Sequence, residues 1–193
     1  MMRLSDIEFK AMNNPLRRFF QKHIEFRNFR WLGLTVKHKN ILEIGCGSGY
    51  GAVLLSTLEP RSYIGIDLMP EQIALTGQWH LPGYTFRVMD AAAMQEIPTI
   101  SKDIIVIFGI LHHIPQWREV IKECRRVLRK SGRLFAEEPN GKIIRNFDNL
   151  FHWGHPVSDF SLLKFEKELV ESGFNIIRKR KILGFGTYHA KKV

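Results

Sequence analysis

Glycines and acidic residues recur along the chain in a pattern that could bind a nucleoside-like ligand. The segment ILEIGCGSGYG, residues 41–51, is a short apolar run that ends in glycines at positions 45, 47 and 49. Glycine tolerates positive φ and lacks a Cβ, so a ligand can approach the main chain of such a loop closely. Dinucleotide-binding loops have the spacing G-x-G-x-x-G, whereas the third glycine here comes one residue earlier. The loop alone indicates a nucleotide-like ligand without defining it.

Three carboxylates accompany this loop and narrow the choice of ligand. Glu43 lies in the first apolar run, Asp67 ends the run 63–66, and Asp90 ends the run 84–89. A carboxylate such as Asp67 can accept hydrogen bonds from both hydroxyls of a ribose, although a helix-capping role is the alternative. Asp90 or the backbone beside it could bind the amino group of adenine, or could merely cap a loop. Three acids and few nearby cations favour an adenosine-like, cationic ligand over a pyrophosphate.

The runs that carry these residues alternate with helical patterns, which is typical of a doubly wound α/β fold. The predicted strands cover residues 41–44, 63–66, 84–89, 104–108 and 133–136. Apolar positions 117, 120, 121, 124, 127 and 128 predict a helix that Gly132 ends. A second helix is predicted after Ser161, with an apolar stripe formed by Leu162, Phe165, Leu169 and Val170.

Two further strands, 174–180 and 183–192, are predicted after the second helix. The turn between them has no room for a crossover helix. They must therefore be antiparallel, since a parallel return needs about a dozen residues or more. The sequence predicts a mostly parallel sheet that ends in an antiparallel hairpin.

Residues 1–39 precede the first strand and are predicted to form a helical segment, distinct from a ligand-binding domain of residues 40–193. Two roles remain open for this segment, which could pack against the edge of the sheet or close over the ligand as a lid. Its apolar positions have the spacing of one helix face and continue into an aromatic cluster: Leu16, Phe19, Phe20 and Ile24, then Phe26, Phe29 and Trp31.

Composition predicts a globular domain that is soluble and cytoplasmic. Of 193 residues, 45% are hydrophobic and 25% charged, and no apolar stretch has the length of a membrane span. Two cysteines, Cys46 and Cys124, are too few for a disulfide framework. The net charge of +10 leaves open a solvated basic surface or a patch for nucleic acid or acidic lipid. The basic clusters are Arg17, Arg18, Lys22, Arg27 and Arg30, and residues 178–181.

The ordered motifs resemble those of the class I S-adenosylmethionine-dependent methyltransferases, and in particular their small-molecule-type domains. LEIGCGSG resembles the first motif of that family, YIGIDLMPEQI the second, FRVMDAAAM the third and DIIVIFGILHHIP the fourth. VLRKSGRLFAEE is similar to its fifth-strand region, and the resemblance runs from about residue 40 to the C-terminus. It implies a Rossmann-like sheet of seven strands with the last antiparallel, and S-adenosyl-L-methionine as cofactor.

The resemblance also implies which residues bind the cofactor. The glycines would line its methionine part, Asp67 its ribose, Asp90 and Ala91 its adenine, and Phe108 and Gly109 its reacting end. Glu43 would act through the loop amides or the amino group of the cofactor, and Cys46 is expected to be a small packing residue. The full predicted set is Glu43, Gly45, Cys46, Gly47, Gly49, Asp67, Leu68, Asp90, Ala91, Phe108 and Gly109.

Two histidines after the fourth strand, His112 and His113, are the candidate general bases, because imidazole titrates near neutral pH. A base is needed only if the acceptor is protonated at the working pH. The segment LHHIP is also similar to a common form of the family's fourth motif. A role in shaping the loop is therefore an equal alternative.

The long connection 137–159 is expected to cover the acceptor site, since loops of this length are usually functional or disordered. His152, Trp153 and His155 are predicted to line the acceptor pocket. The two histidines lack a third ligand at a suitable spacing, so no metal is predicted.

A small-molecule acceptor is the leading hypothesis for the substrate. Residues 108–111 do not resemble the Asn/Asp-Pro-Pro-aromatic motif of nucleobase amino-group methylation, and no Pro-Cys pair offers a thiolate for pyrimidine methylation. The alternatives are an RNA methyltransferase anchored by its basic N-terminal helix, a non-catalytic adaptor that binds the cofactor, and an NAD-dependent oxidoreductase. Such an oxidoreductase would require G-x-G-x-x-G and a catalytic pair such as Tyr/Lys, and neither is present.

Overall fold

A computed structural model describes residues 9, 12–141, 143 and 159–193. The predicted acceptor residues His152, Trp153 and His155 lie outside this part of the chain. Within it, no helix has both the length and the apolar character needed to cross a bilayer.

A seven-stranded sheet of order β3-β2-β1-β4-β5-β7-β6 forms the centre of the molecule. Strands β1 to β5 pair in parallel, and β7 runs antiparallel to both of its neighbours. The predicted Rossmann-like sheet with an antiparallel last strand is confirmed. The strands are β1 (Asn40–Ile44), β2 (Ser62–Asp67), β3 (Tyr84–Val88), β4 (Lys102–Phe108), β5 (Leu128–Pro139), β6 (Phe174–Ile182) and β7 (Phe185–Lys192).

Helices cover both faces of the sheet, so its central strands are apolar at consecutive positions. Helices α5 and α6 pack on one face, while α2 and α3 pack on the other. A π-helical turn, Gln21–Phe26, joins α1 to α2, and short 3₁₀ turns cover Leu75–Trp79 and Leu111–His113. Within the described part of the chain, the α-helices with defined bounds are α1 (Pro15–Phe20), α2 (Arg27–Trp31), α3 (Tyr50–Ser56), α4 (Pro70–Ala74), α5 (Trp117–Val127) and α6 (Leu162–Glu171).

Helix α5 ends five residues before the predicted stop at Gly132. Leu128 is already extended, with φ −70° and ψ 140°, and it pairs with Lys102 at the start of β5. Gly132 lies instead where the ladder between β4 and β5 shifts register, and a Cβ there would come within 2.9 Å of the Arg129 carbonyl oxygen. Strand pairing therefore ends the helix earlier than its sequence pattern does.

Residues 15–31 are helical, but the apolar stripe of this N-terminal segment does not pack against the sheet. Leu16, Phe19, Phe20 and Ile24 are 63%, 56%, 45% and 46% exposed. Phe29 anchors the segment together with Leu32, Leu34 and Val36, which all lie in the buried layer over the sheet. The Phe29 ring lies 4.9 Å from that of Phe108. Helix α1 therefore has its apolar side outward.

Candidate functional site

A cavity of about 530 Å³ lies at the carboxyl ends of β1, β2 and β4. In open α/β sheets, ligands bind at this edge, where the strand order reverses. The cavity has the size of a small-molecule site. The predicted residues that line it are Gly45, Cys46, Gly47, Asp67, Leu68, Asp90, Ala91, Phe108, Gly109 and His113.

The glycine loop follows β1 and is held closely by its neighbours. The Cys46 amide donates to the Ile66 carbonyl at 3.0 Å, and the Gly47 amide donates to Asp67 Oδ2 at 2.9 Å. Gly45 has φ +68°, and a Cβ there would lie 2.7 Å from Cγ1 of Ile110. Gly49, with φ +86°, precedes α3 and does not line the cavity.

Asp67, at the end of β2, offers acceptor oxygens to the cavity. Its Oδ2 accepts from Gly47, and its Oδ1 accepts from the Met69 amide at 2.9 Å. Burial raises the pKa of this carboxyl, although the backbone donors of Met69, Gly47 and Leu68 oppose that effect. Because each carboxylate oxygen can accept more than one hydrogen bond, both remain available to ligand hydroxyls.

One further polar atom of the cavity is available to a ligand. Gln72 lines the cavity, and its buried Oε1 has no hydrogen-bond partner. A Cβ on Gly47 would lie 3.8 Å from that oxygen, so Gln72 reaches the glycine loop. A buried acceptor without a partner is unusual in a folded protein and suits a ligand donor, such as a hydroxyl or amino group.

Glu43 does not line the cavity, contrary to its predicted role at the cofactor. Side chains alternate along β1, and Ile44 faces the cavity. Glu43 points to the opposite face, where its Oε2 accepts a 2.7 Å hydrogen bond from the Tyr63 hydroxyl. Its carboxyl packs against Gly51 so closely that a Cβ there would clash with it. The carboxyl of Glu43 therefore packs against α3 on that opposite face of the sheet.

Burial raises the pKa of Glu43 from 4.5 to about 8, against the hydrogen bond from Tyr63, with Asp67 raising it further. The native state thus keeps a proton that the unfolded chain loses. The contribution of Glu43 to the free energy of unfolding is therefore complete below about pH 4.5 and is lost as the pH rises toward 8. We expect Glu43→Gln to flatten this fall by up to about 1.4 kcal/mol per pH unit. Urea unfolding between pH 5 and 9 measures the effect, and identical slopes in both proteins would contradict it.

The two candidate histidines have different environments. His113 lines the cavity, whereas His112 is buried with its Nδ1 2.8 Å from Oε2 of Glu138. The other oxygen of Glu138 accepts from the amides of Ile110 and Leu111, at 3.0 and 2.8 Å. Burial raises the pKa of Glu138 to about 8 despite these donors. Glu138 and His112 therefore shape the turn that presents His113.

Glu138 was missed by the sequence prediction, although a signal for it existed. Two adjacent acids, Glu137 and Glu138, end an apolar strand in the fifth-strand region. Acidic residues at the end of a buried strand need hydrogen-bond partners, so they mark positions with a defined role. Glu137 is itself buried, and a Cβ added to Gly109 would lie 3.6 Å from its Oε2.

The N-terminal segment brings cations to the cavity, which corrects the expectation of few cations near the loop. Arg17 and Arg18 both line the cavity. Arg17 pairs with Glu25 at 2.9 Å, and the guanidinium of Arg18 lies 4.9 Å from the Trp79 ring. Burial raises the pKa values of Glu25 and Glu137, while Arg17 lowers both. Thus, α1 covers the cavity with its polar side.

Cys46 lines the cavity but has the environment of a packing residue. It is buried, and the burial raises the pKa of its thiol, with Glu43 and Asp67 adding to the effect. A Cβ on Gly65 would lie 3.0 Å from both the Cβ and the Sγ of Cys46. A protonated, closely packed thiol is not set up as a nucleophile.

Comparisons with known proteins agree with this geometry. A family model described as a methyltransferase domain matches residues 42–136. A protein of Mycobacterium tuberculosis (strain CDC 1551 / Oshkosh), described as a probable S-adenosylmethionine-dependent methyltransferase, is 35% identical over 105 residues, which are 53% of this chain and 36% of the relative. The phthiotriol/phenolphthiotriol dimycocerosates methyltransferase of Mycobacterium leprae is 34% identical over 125 residues, 63% of this chain and 46% of the relative. The chain therefore spans less than half the length of these two relatives.

A solved structure has the same fold over almost the whole chain. It is the methyltransferase in a complex with the Trm112 methyltransferase activator of Haloferax volcanii. The TM-score is 0.80 at 13% identity, with 99% of each chain covered.

Proposed function

The chain belongs to the class I S-adenosylmethionine-dependent methyltransferases, and we propose that it methylates a small-molecule acceptor. The observation that carries this proposal is the placement of Asp67 beside the glycine loop, at the carboxyl ends of β1 and β2, with the unpartnered Gln72 oxygen in the same cavity. The name of the M. leprae relative, which refers to dimycocerosates, supports a small-molecule acceptor over RNA.

Residues of the cavity have separable roles in this proposal. Asp67 would hold the ribose hydroxyls, the peptides around Gly45 and Gly47 the methionine part, and Asp90 and Ala91 the adenine. S-adenosyl-L-methionine supplies a methyl group already activated on a sulfonium, so the chain mainly has to orient the acceptor and exclude water. Phe108 and Gly109 line the end of the cavity at β4.

Residues of α1 and the turn after it would close this cavity against water, which gives residues 1–39 the role of a lid. Arg17, Arg18 and Gln21 line the cavity from this segment. His152, Trp153 and His155 remain predicted acceptor contacts.

We assign the general base to His113 and a positioning role to His112. We expect His113→Ala to lower turnover by about 10²- to 10³-fold if the acceptor is protonated, because its imidazole is the one that lines the cavity. Affinity for S-adenosyl-L-methionine should remain within about twofold, since His113 takes no part in the proposed cofactor contacts. Single-turnover transfer and calorimetric titration with the cofactor measure the two quantities.

His112→Ala is the matched control, because it removes the adjacent imidazole from the buried contact with Glu138. It should lower the melting temperature more than His113→Ala does, since it removes the side-chain partner of a buried carboxyl that then keeps only its backbone donors. Unchanged turnover in both variants would contradict a histidine base.

The alternatives make different predictions for binding. Arg17 and Arg18 face the cavity, so they are poor anchors for RNA. An oxidoreductase would bind NAD, and an adaptor would bind the cofactor without transfer.

A methyl-labelled cofactor tests the proposal directly. The protein is incubated with labelled S-adenosyl-L-methionine and cell extract, which is then separated into small molecules and lipids, protein, and RNA. We expect label in the first fraction and a rise in melting temperature with the cofactor but not with NAD. Label in RNA, stabilisation by NAD alone, or binding with no transfer would each overturn the proposal.

A further inference from the structure

Helix α1 and the π-helical turn after it have a polar inner side and an apolar outer side, the reverse of an ordinary surface helix. Arg17, Arg18 and Gln21 line the cavity, and Glu25 pairs with Arg17. The opposite side forms what we name the outer apolar face, which is exposed to solvent. It consists of Leu16, Phe19, Phe20 and Ile24.

Exposed cations accompany the outer apolar face along the same segment. Lys22, Arg27 and Arg30 are exposed in the same segment. Between residues 12 and 31 the only carboxylate is that of Glu25, which is turned inward and neutralised by Arg17. The solvent side of this segment therefore carries apolar and cationic groups without an acidic one.

The edge hairpin formed by β6 and β7 extends this surface. The Arg180 guanidinium lies 5.2 Å from the ring of exposed Trp31 and donates to Asn28 Oδ1 at 2.9 Å. Residues 177–183 of the hairpin are all exposed. Lys179 and Lys181 are held by Glu166, whereas Arg180 contacts the N-terminal segment. Aromatic, aliphatic and cationic groups are thus continuous from α1 to the hairpin.

We propose that the outer apolar face and its cations dock onto the surface of an anionic lipid membrane. A helix that lies in the membrane interface buries Phe, Leu and Trp side chains at the acyl boundary, while Lys and Arg contact the headgroups. Leu16, Phe19, Phe20, Ile24 and Trp31 supply the first group, and Lys22, Arg27 and Arg30 the second. Docking by this side would place the polar inner side, and the cavity beneath it, next to the bilayer.

The observations favour a membrane over the other partners of such a surface. RNA would match the cations but would leave Leu16 and Ile24 in water, because aliphatic side chains do not stack on bases. A second copy of the chain would bring Lys22, Arg27 and Arg30 against like charges, which is unfavourable. An anionic membrane satisfies both the apolar and the cationic groups at once.

Vesicle flotation of the full chain tests the proposal, with phosphatidylcholine vesicles prepared with and without phosphatidylglycerol. We expect at least about tenfold stronger binding to the anionic vesicles, weakened by salt. The double variant Phe19→Ser/Phe20→Ser should weaken binding about tenfold or more. The triple variant Lys22→Gln/Arg27→Gln/Arg30→Gln should weaken binding to the anionic vesicles about a hundredfold.

Matched control variants separate a specific surface from general charge and hydrophobicity. Leu163→Ser removes an apolar side chain that is 75% exposed on α6. Lys39→Gln/Arg61→Gln/Lys130→Gln removes three exposed cations at the opposite end of the sheet. Neither change should alter vesicle binding by more than about twofold.

Several outcomes would overturn the proposal. These are equal binding to both kinds of vesicle, no binding to either, and equal effects of the surface and control variants. Affinity for RNA without affinity for vesicles, or a dimer that the Phe19→Ser/Phe20→Ser change dissociates, would assign the surface to another partner. Circular dichroism of each variant distinguishes loss of docking from loss of folding, and a folded variant that still binds vesicles also counts against the proposal.

Discussion

Replacement of Asp67 by Ala is expected to weaken binding of S-adenosyl-L-methionine by a few hundredfold. The carboxylate is the acceptor proposed for both ribose hydroxyls, and a hydrogen bond to a charged group contributes about 1.5–3 kcal/mol. Loss of two such bonds costs about 3–6 kcal/mol in total, and the lower end of this range corresponds to that change in affinity. The same substitution removes the acceptor of the Gly47 amide, so the glycine loop also loses a hydrogen bond that holds it in place. Isothermal titration with S-adenosyl-L-methionine and with its demethylated product measures the loss.

Asp103→Ala is the matched control for this variant. Its carboxylate likewise accepts from a backbone amide, that of Asn40 at 2.8 Å, and it also pairs with Arg129 at 3.0 Å. It lies at the amino ends of the strands, away from the cavity, so cofactor affinity should not change. Asp67→Asn keeps one acceptor oxygen, so its cofactor affinity should lie between that of Asp67→Ala and that of the unaltered protein. Affinity of Asp67→Ala within about threefold of the unaltered protein would be incompatible with a ribose-binding role.

Gly45→Ala is expected to lower both stability and activity strongly. An alanine at φ +68° costs about 1–2 kcal/mol, and overpacking adds about 1–3 kcal/mol, because the new Cβ would lie 2.7 Å from Cγ1 of Ile110. Relief of this contact must move either the glycine loop or the turn that presents His113. Since both line the cavity, we expect kcat/KM to fall by about a hundredfold or more.

Gly83→Ala separates backbone strain from the damage to the cavity. Gly83 has φ +80°, but a Cβ there would meet nothing within 4 Å. Its replacement should cost the same about 1–2 kcal/mol of backbone strain, without overpacking, and leave kcat/KM unchanged. Ile110→Ala combined with Gly45→Ala should restore part of the lost stability, since the two side chains compete for one space. Equal stability losses at positions 45 and 83 would contradict this account.

The sheet and the edge that carries the proposed cofactor site could be predicted from local sequence. Apolar runs predicted the parallel strands, because strands buried on both faces have a distinctive composition. The turn between residues 174–180 and 183–192 is too short for a parallel connection, and it therefore predicted the antiparallel hairpin. The glycine loop and the acids at the carboxyl ends of β2 and β3 are tied to their positions by chain connectivity. Motif spacing was therefore sufficient to bring Asp67, Asp90 and the loop to one edge.

The acceptor end of the site could not be predicted in the same way, because contacts between distant segments determine it. The choice between His112 and His113 depends on Glu138, which lies 26 residues away from His112 in the chain. Glu43 was misplaced because a motif match does not state which face of β1 its side chain occupies.

The sequence by itself determined the order of strands and helices along the chain, the position of the glycine loop and the identity of the acid that ends β2. Only the tertiary structure decided which side of α1 faces the protein. The helical spacing of Leu16, Phe19, Phe20 and Ile24 is the same whether that face is buried or exposed. Arg17 and Arg18 turn inward to the polar cavity beneath α1, where Arg17 pairs with Glu25 and lowers the pKa values that burial raises in Glu25 and Glu137. Periodicity defines the faces of a helix, whereas the polarity of the surface beneath it decides which face turns inward.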